Sequence, residues 1–460
     1  MIARSFLLLF SILFFHKVVY SSKTSTTSFQ VVVYNVENLF DSDGVSLYND
    51  YKKEMYGRKE LENKLDKICD ILRKIGGKTG PDVILFQEIE VDRTPEKFPS
   101  AAEELLKEMK IRGMGPYNFS FGYNPDGSHD KWPAVHCLTL SKFPIVKSRL
   151  HPLINARPIL ETTLSIQGSP LILFNNHWKS GASSAQMENY RLQNARVLRN
   201  RIDYLIQQNP ETDFIIGGDL NSHYNQSTVY SEEMKRTGIN HILMSQGIEP
   251  PKNNSGEVLY NLWHEISFDQ RGSDVWKGKW GTLMHIILPS SMYDAKGVNY
   301  IADSFKIESY SGLNQIHGLN IPFEWSNELN GFGASDHFPI SARFKVSNEK
   351  TEIGNNFSFI EPEQRSINFD YAKKNAAIWM TRFLSSENFG KTYRIKGFIK
   401  NKNPLTIEID QREFELYSHD PSTRNILFSN KISHELSATG YLSRYRGKWQ
   451  FIIAEKSWID

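Results

Sequence analysis

Four short apolar runs between Phe29 and Phe344 end in polar residues that a packed core would not select, and a fifth such cluster precedes the last run. Val31 to Val33 leads to Asn35 and Glu37, and Val83 to Phe86 leads to Gln87 and Glu88. Leu171 to Phe174 leads to Asn176 and His177, and Phe214 to Gly218 leads to Asp219 and Asn221. Ser335, Asp336 and His337 stand before the last run. Short runs of this kind, bounded by turn residues, read as strands. Amphipathic patterns lie between them. Leu61, Leu65, Ile68, Ile71 and Ile75 keep helical spacing up to Gly76-Gly77, and Leu192, Ala195, Leu198, Ile202 and Leu205 keep it up to Asn209-Pro210. Alternation of strands and helices predicts a layered α/β or α+β domain. In such folds ligands bind at strand ends.

The collected side chains share a chemistry. Carboxylates and Asn amides are hard oxygen ligands for Mg²⁺ or Ca²⁺. Two histidines can give and take protons near neutral pH. The chain has only two cysteines, Cys69 and Cys137, in apolar surroundings and expected to be free thiols, so no Cys-rich zinc module or disulfide scaffold is available. No Gly-rich phosphate loop accompanies the set. Metal and histidines without a covalent nucleophile point to hydrolysis of a phosphate ester by activated water.

The remainder of the chain falls into three parts. Arg4 and the apolar run Phe6 to Phe15 read as a secretory signal over residues 1–21, cleaved after Ser21. The expected product is secreted or periplasmic, with no stable membrane insertion and monomeric. Residues 346–370 are polar and read as a linker. Residues 371–460 carry closely spaced short β runs that suggest a small barrel or sandwich. Net charge is 54 − 52 = +2, so any basic surface is local. From Lys391 to Asp460 the balance is 12 − 8 = +4, interleaved with Tyr393, Tyr441, Tyr445 and Trp449. That pattern suits nucleic-acid stacking and phosphate contact. Trp263, Trp276 and Trp280 are either core packing or a substrate-facing wall.

The strings Tyr34-Asn-Val-Glu-Asn-Leu-Phe40, Gln87-Glu88, Asn176-His-Trp-Lys-Ser180, Gly217-Gly-Asp-Leu-Asn221 and Ser335-Asp-His-Phe-Pro339 together resemble the endonuclease/exonuclease/phosphatase superfamily. That superfamily includes pancreatic deoxyribonuclease, abasic-site endonucleases, sphingomyelinases and inositol-polyphosphate phosphatases. The likeness is nearest to secreted bacterial nucleases. It implies an α+β domain over residues 29–345, with two packed β-sheets flanked by helices in a four-layer α/β/β/α sandwich. It implies Mg²⁺ as cofactor, with Mn²⁺ or Ca²⁺ as alternatives. Asn35, Glu88, Asp336 and Glu37 correspond to metal positions. His177, Asp219, Asn221 and His337 correspond to catalytic ones, and Asn176 and Arg157 to substrate contacts. The implied function is a metal-dependent phosphodiesterase, a nuclease acting on DNA or RNA. A sphingomyelinase-like phospholipid diesterase and a catalytically weakened binding protein are the alternatives. The C-terminal β-rich segment resembles an oligonucleotide-binding barrel in its strand pattern and in Gly440-Tyr-Leu-Ser-Arg-Tyr-Arg-Gly-Lys-Trp449. One departure stands out: Met284 occupies the place of the family's aspartate that orients the second histidine. A replacement carboxylate beside His337 is expected, with Asp303 and Asp274 as candidates.

Overall fold

The computed structural model describes residues 28–94, 97–126, 129–247, 258–350, 354–357, 361 and 363–460. The expected signal segment lies outside them. Two sheets stack face to face. In the first, the central strands Ser28–Leu39 and Val83–Glu90 run parallel, flanked by Ile340–Val346 on one side and Val135–Ser141 on the other. The second is centred on Ser169–His177, Phe214–Asp219 and Met284–Leu288. Period-two alternation gives each central strand two buried faces. Val31, Val33 and Leu85 meet Leu173, Ile215 and Ile286 between the sheets. Val32, Ile84 and Phe86 point outward to Leu61, Leu65, Ile68 and Leu105 on the helices Arg58–Gly76 and Ala101–Ile111. On the far side, Ala195, Leu198 and Ile202 of helix Ala185–Gln208 cover Phe174, Phe214 and Ile216. The order is helix, sheet, sheet, helix, as the resemblance implies. Both cysteines are free and buried. No helix among the described residues is long and apolar enough to cross a membrane.

The C-terminal segment is a closed five-stranded barrel. Thr392–Lys402, Leu405–Ile409 and Arg412–Tyr417 form a meander, and Lys448–Ile452 then pairs in parallel with the third strand. Glu435–Tyr445 closes the ring onto Thr392–Lys402. Helix Pro421–Ser429 joins the third and fourth strands in sequence. The barrel core extends into the sandwich, taking in Trp280, Leu319 and Phe338. Phe332 stacks on Phe389 at 4.3 Å, and Phe389 on Trp449 at 5.3 Å. Arg444 Nε reaches Glu328 Oε2 at 3.0 Å. Part of the segment expected as a linker is held down. Arg365 lies over the Trp280 ring at 4.4 Å, and Ile367 N–H donates to Gly278 O at 3.0 Å.

Gly217 and Gly218 show why Asp219 is approached through glycines. A Cβ on Gly217 would stand 2.6 Å from Leu85 Cδ1 of the opposing sheet. Gly218 has φ +130°, and a Cβ there would stand 2.0 Å from Asn176 O. Gly218→Ala is therefore expected to cost roughly 3 kcal/mol or more, from backbone strain plus overpacking. Urea unfolding checks this, and an unchanged midpoint contradicts it.

Candidate active site

The strands that carry the site end in distorted backbone. Pairing of Ser28–Leu39 with Val83–Glu90 shifts register after Asn35, and pairing of Val83–Glu90 with Val135–Ser141 shifts after Phe86. Glu37 (φ 51°), Glu88 (φ 67°) and Asn221 (φ 47°) all take the left-handed conformation. Each costs of order 1–3 kcal/mol for a residue with a side chain, and such strain clusters at functional sites. Here it turns carboxylates that would otherwise follow the strand alternation toward one place.

At that place Asn35 Nδ2 donates to Glu88 Oε1 at 3.0 Å and to Asp219 Oδ2 at 3.1 Å. The parallel register sets His177 beside Asp219. His177 Nε2 stands 3.6 Å from both Glu88 Oε1 and Asp219 Oδ2. His337 Nε2 approaches the same Asp219 oxygen at 3.7 Å. Asn221 N–H donates to Asp219 Oδ1 at 2.8 Å. Arg157 is half-buried at the edge, and its charge acts on both Glu88 and His177. Asn35, Glu88, His177, Asp219, Asn221 and His337 are thus brought together, with Asp336 beside His337 and Glu37 behind. Asn176 is not among them. Its amide donates to Phe174 O and Gly217 O and accepts from Trp178 Nε1, so the side chain is consumed inside the second sheet.

Met284 pairs with Asp219 in the sheet and packs into the apolar layer between the sheets. The carboxylate on His337 comes from neither expected candidate. Asp336 Oδ1 takes the His337 Nδ1–H at 2.7 Å. Asp303 lies elsewhere, accepting from Asn355 N–H. Asp274 forms a backbone bridge with His337 but spends its Oδ1 on Ser273 Oγ and Leu283 N–H.

The two histidines are driven apart electrostatically. Burial, with the charges of Arg157 and His337, holds His177 well below the usual imidazole range. Burial also opposes charge on His337, but Asp336, Asp219 and Asp274 outweigh it and hold its proton tightly. His177 Nδ1 and His337 Nε2 are buried with no hydrogen-bond partner among the described residues. Glu37 and Glu88 are pushed above the usual carboxylate range, by burial first and then by Asp336.

Ser335, which heads the last strand-end motif, Asn175 and Lys64 also contribute, although none is among the expected site residues. Ser335 Oγ donates to Asn35 O and accepts from His337 N–H. Asn175 ties the two sheets beneath the site through Gln87, Phe86 O and Leu138 O. Lys64, fully buried, donates to Glu37 O at 2.9 Å and Ala334 O at 3.0 Å, and lies 4.6 Å from the Trp325 ring. Glu37 Oε2 in turn accepts from Trp325 N–H and Asp336 N–H. The signal for Lys64 was a lysine inside the apolar stripe of its helix, one position before Leu65. Lys64→Met leaves two buried carbonyls unpaired and removes a countercharge. The expected loss is about 3 kcal/mol of stability, read by denaturant titration. A variant as stable as wild type contradicts the role.

The donor chemistry fits a hard divalent cation. Glu88, Asp219 and Asp336 are hard ligands; the Asn35 amide shows them its Nδ2 while its Oδ1 accepts from Glu37 N–H, so it would join them only by turning over. A cation relieves the burial and the Asp336 charge that raise Glu88 and Glu37. No group of three His, Cys, Asp or Glu among the described residues forms a ready-made cage. Water and substrate oxygens would complete the shell, as is usual for Mg²⁺.

Residues 30–345 match the model of the endonuclease/exonuclease/phosphatase family. The chain belongs to this family. Members are hydrolases of phosphodiester bonds that generally use divalent metals. No curated protein matches the chain. Among solved structures, truncated TDP2 from Caenorhabditis elegans is 16% identical, covering 69% of this chain and 98% of its own, with a TM-score of 0.41. A family protein from Bacteroides thetaiotaomicron is 14% identical, covering 70% and 99%, with a TM-score of 0.41. Beta toxin from Staphylococcus aureus is 17% identical, covering 68% and 99%, with a TM-score of 0.40.

Proposed function

We propose that the chain is an exported, Mg²⁺-dependent nuclease. The family supplies phosphodiester hydrolysis, and the observation that carries the nucleic-acid reading is the barrel. Its strand order, with the first strand closing on the fourth, the third parallel to the fifth, and a helix between the third and fourth, resembles that of the oligonucleotide-binding fold. On its surface Arg446 lies over Tyr445 at 5.2 Å and Arg424 over Tyr417 at 5.8 Å, with both tyrosines exposed. Paired arginines and aromatics suit stacking and phosphate contact with single strands. Export rests on the Arg4 and Phe6 to Phe15 segment.

In this reading Glu88 and Asp336, with Asn35 beside them, would hold the metal, which would supply charge neutralisation at the phosphate and lower the pKa of water. Glu37 keeps the loop of Asp336 in place through its amide bonds. Asp219, held by the Asn221 backbone N–H, orients the attacking water and takes its proton, while the Asn221 side-chain amide donates to Trp178 O at 3.3 Å. His337, held protonated, meets the phosphate and the leaving oxygen. His177, neutral and 3.6 Å from Asp219 Oδ2, can accept the proton that this carboxylate takes from the water. Arg157 draws the substrate's charge to the edge of the site.

The test offers purified protein with Mg²⁺ plasmid DNA, RNA and sphingomyelin vesicles in parallel. Cleavage of nucleic acid without lipid hydrolysis is expected. Lipid hydrolysis alone contradicts the proposal.

A further inference from the structure

A cleft of about 620 Å³ runs between the sandwich and the barrel. One wall is the hairpin of Asp274–Trp276 paired with Lys279–Gly281, and the other includes His419 and Tyr441 of the barrel. Asp336, the carboxylate bonded to His337, is among the residues that line it. The hairpin is fastened to the site. Asp274 bridges His337, and Phe338 N–H donates to Ser273 O at 2.6 Å. Its tip is unlike the rest of the sandwich. Trp276 is 68% exposed, with Lys277 Nζ 5.7 Å from its ring. An indole this open at the mouth of a cleft has a π-face available to a ligand.

We propose that this cleft binds the nucleotide next to the scissile phosphate, with Trp276 stacked on its base and Lys277 and Lys279 facing its backbone. The inference rests on the nuclease reading and names the subsite that reading lacks. Three observations carry it. The cleft is continuous with the reacting groups through Asp336. Its volume lies within the range of small-ligand pockets. Two lysines line it from the hairpin, Lys277 in the turn and Lys279 at the start of the returning strand, where its Nζ donates to Ser366 Oγ at 2.9 Å. Four carboxylates also line the cleft: Asp420 caps helix Pro421–Ser429 through Thr423, Glu455 accepts from Ser457, Asp336 takes the His337 proton, and burial beside Asp336 raises Glu324 to about 7, so that it is partly neutral. A lipid surface fits less well, because the indole lies beside the Lys277 ammonium at a cleft whose other wall is the barrel.

Steady-state kinetics on full-length protein test this, with a single-stranded DNA of about 12 nucleotides and bis(4-nitrophenyl) phosphate as substrates. Trp276→Ala is expected to raise KM for the oligonucleotide roughly 5- to 150-fold, the range for one stacked base. The shift on the small diester is expected to be at least several-fold smaller, and Trp276→Phe should restore most of the oligonucleotide KM. Lys277→Gln should lower the salt slope of oligonucleotide binding by about one. Equal KM shifts on both substrates, or none, overturn the subsite while leaving the nuclease reading intact. A wild type that hydrolyses the small diester but no oligonucleotide overturns the nuclease reading and the subsite with it. Loss of sphingomyelin-vesicle binding in Trp276→Ala, with oligonucleotide KM unchanged, overturns the subsite in favour of a lipid surface.

Discussion

Glu88→Ala lowers phosphodiester turnover by roughly 10³-fold or more. Glu88 is the carboxylate on which the site converges: Asn35 donates to it at 3.0 Å, and His177 stands 3.6 Å away. Metal-assisted charge neutralisation is worth several kcal/mol in the transition state, and each 1.36 kcal/mol is tenfold in rate. The fold should survive, because burial and Asp336 already disfavour charge on Glu88. Removing a carboxylate that the folded state does not welcome costs little stability. The measurement is kcat/KM on a small diester, beside the thermal midpoint with and without Mg²⁺. The variant should keep its midpoint in buffer and lose the Mg²⁺-induced rise. A variant within tenfold of wild-type kcat/KM contradicts the role.

His177→Ala and His337→Ala are each expected to cost about 10²- to 10⁴-fold in kcat, the span of general acid–base contributions. The two act on one carboxylate, since both Nε2 atoms face Asp219 Oδ2, at 3.6 and 3.7 Å. Their effects should therefore fall short of multiplicative in the double variant. The losses should also differ in kind. His337 is held protonated by Asp336, Asp219 and Asp274, and its removal leaves those carboxylates without their cation. His177 is neutral, and its removal leaves space rather than unbalanced charge. Single-turnover rates across the three variants read both features. A fully multiplicative double variant contradicts the shared action on Asp219.

The sandwich was legible because its strands are short apolar runs that stop abruptly at polar residues. The ends of those runs located Asn35, Glu88, His177, Asp219 and His337 in space as well as in sequence. Side-chain direction past those ends was not legible. Alternation fixes the face of a residue only while the strand stays regular, and Glu37, Glu88 and Asn221 leave it with positive φ. Asn176 is the opposite case: it lies inside the regular strand Ser169–His177, and alternation puts it on the Phe174 face, away from Asn175 and His177. The Asp336–His337 contact was missed because adjacent residues in a regular strand face opposite ways, and these two precede the regular part of Ile340–Val346. The barrel strands were visible as closely spaced β runs. Their docking was not, because Trp280, Leu319 and Phe338 carry no signal of which domain they pack against.

The central claim is that water, acidified by a metal at these strand ends, cleaves a nucleic-acid phosphodiester. Cleavage of single-stranded DNA and of RNA by the wild-type chain, followed through chelation and Mg²⁺ add-back, tests it most directly. The account predicts that excess chelator abolishes cleavage and that Mg²⁺ restores it. Full turnover in excess chelator would contradict it.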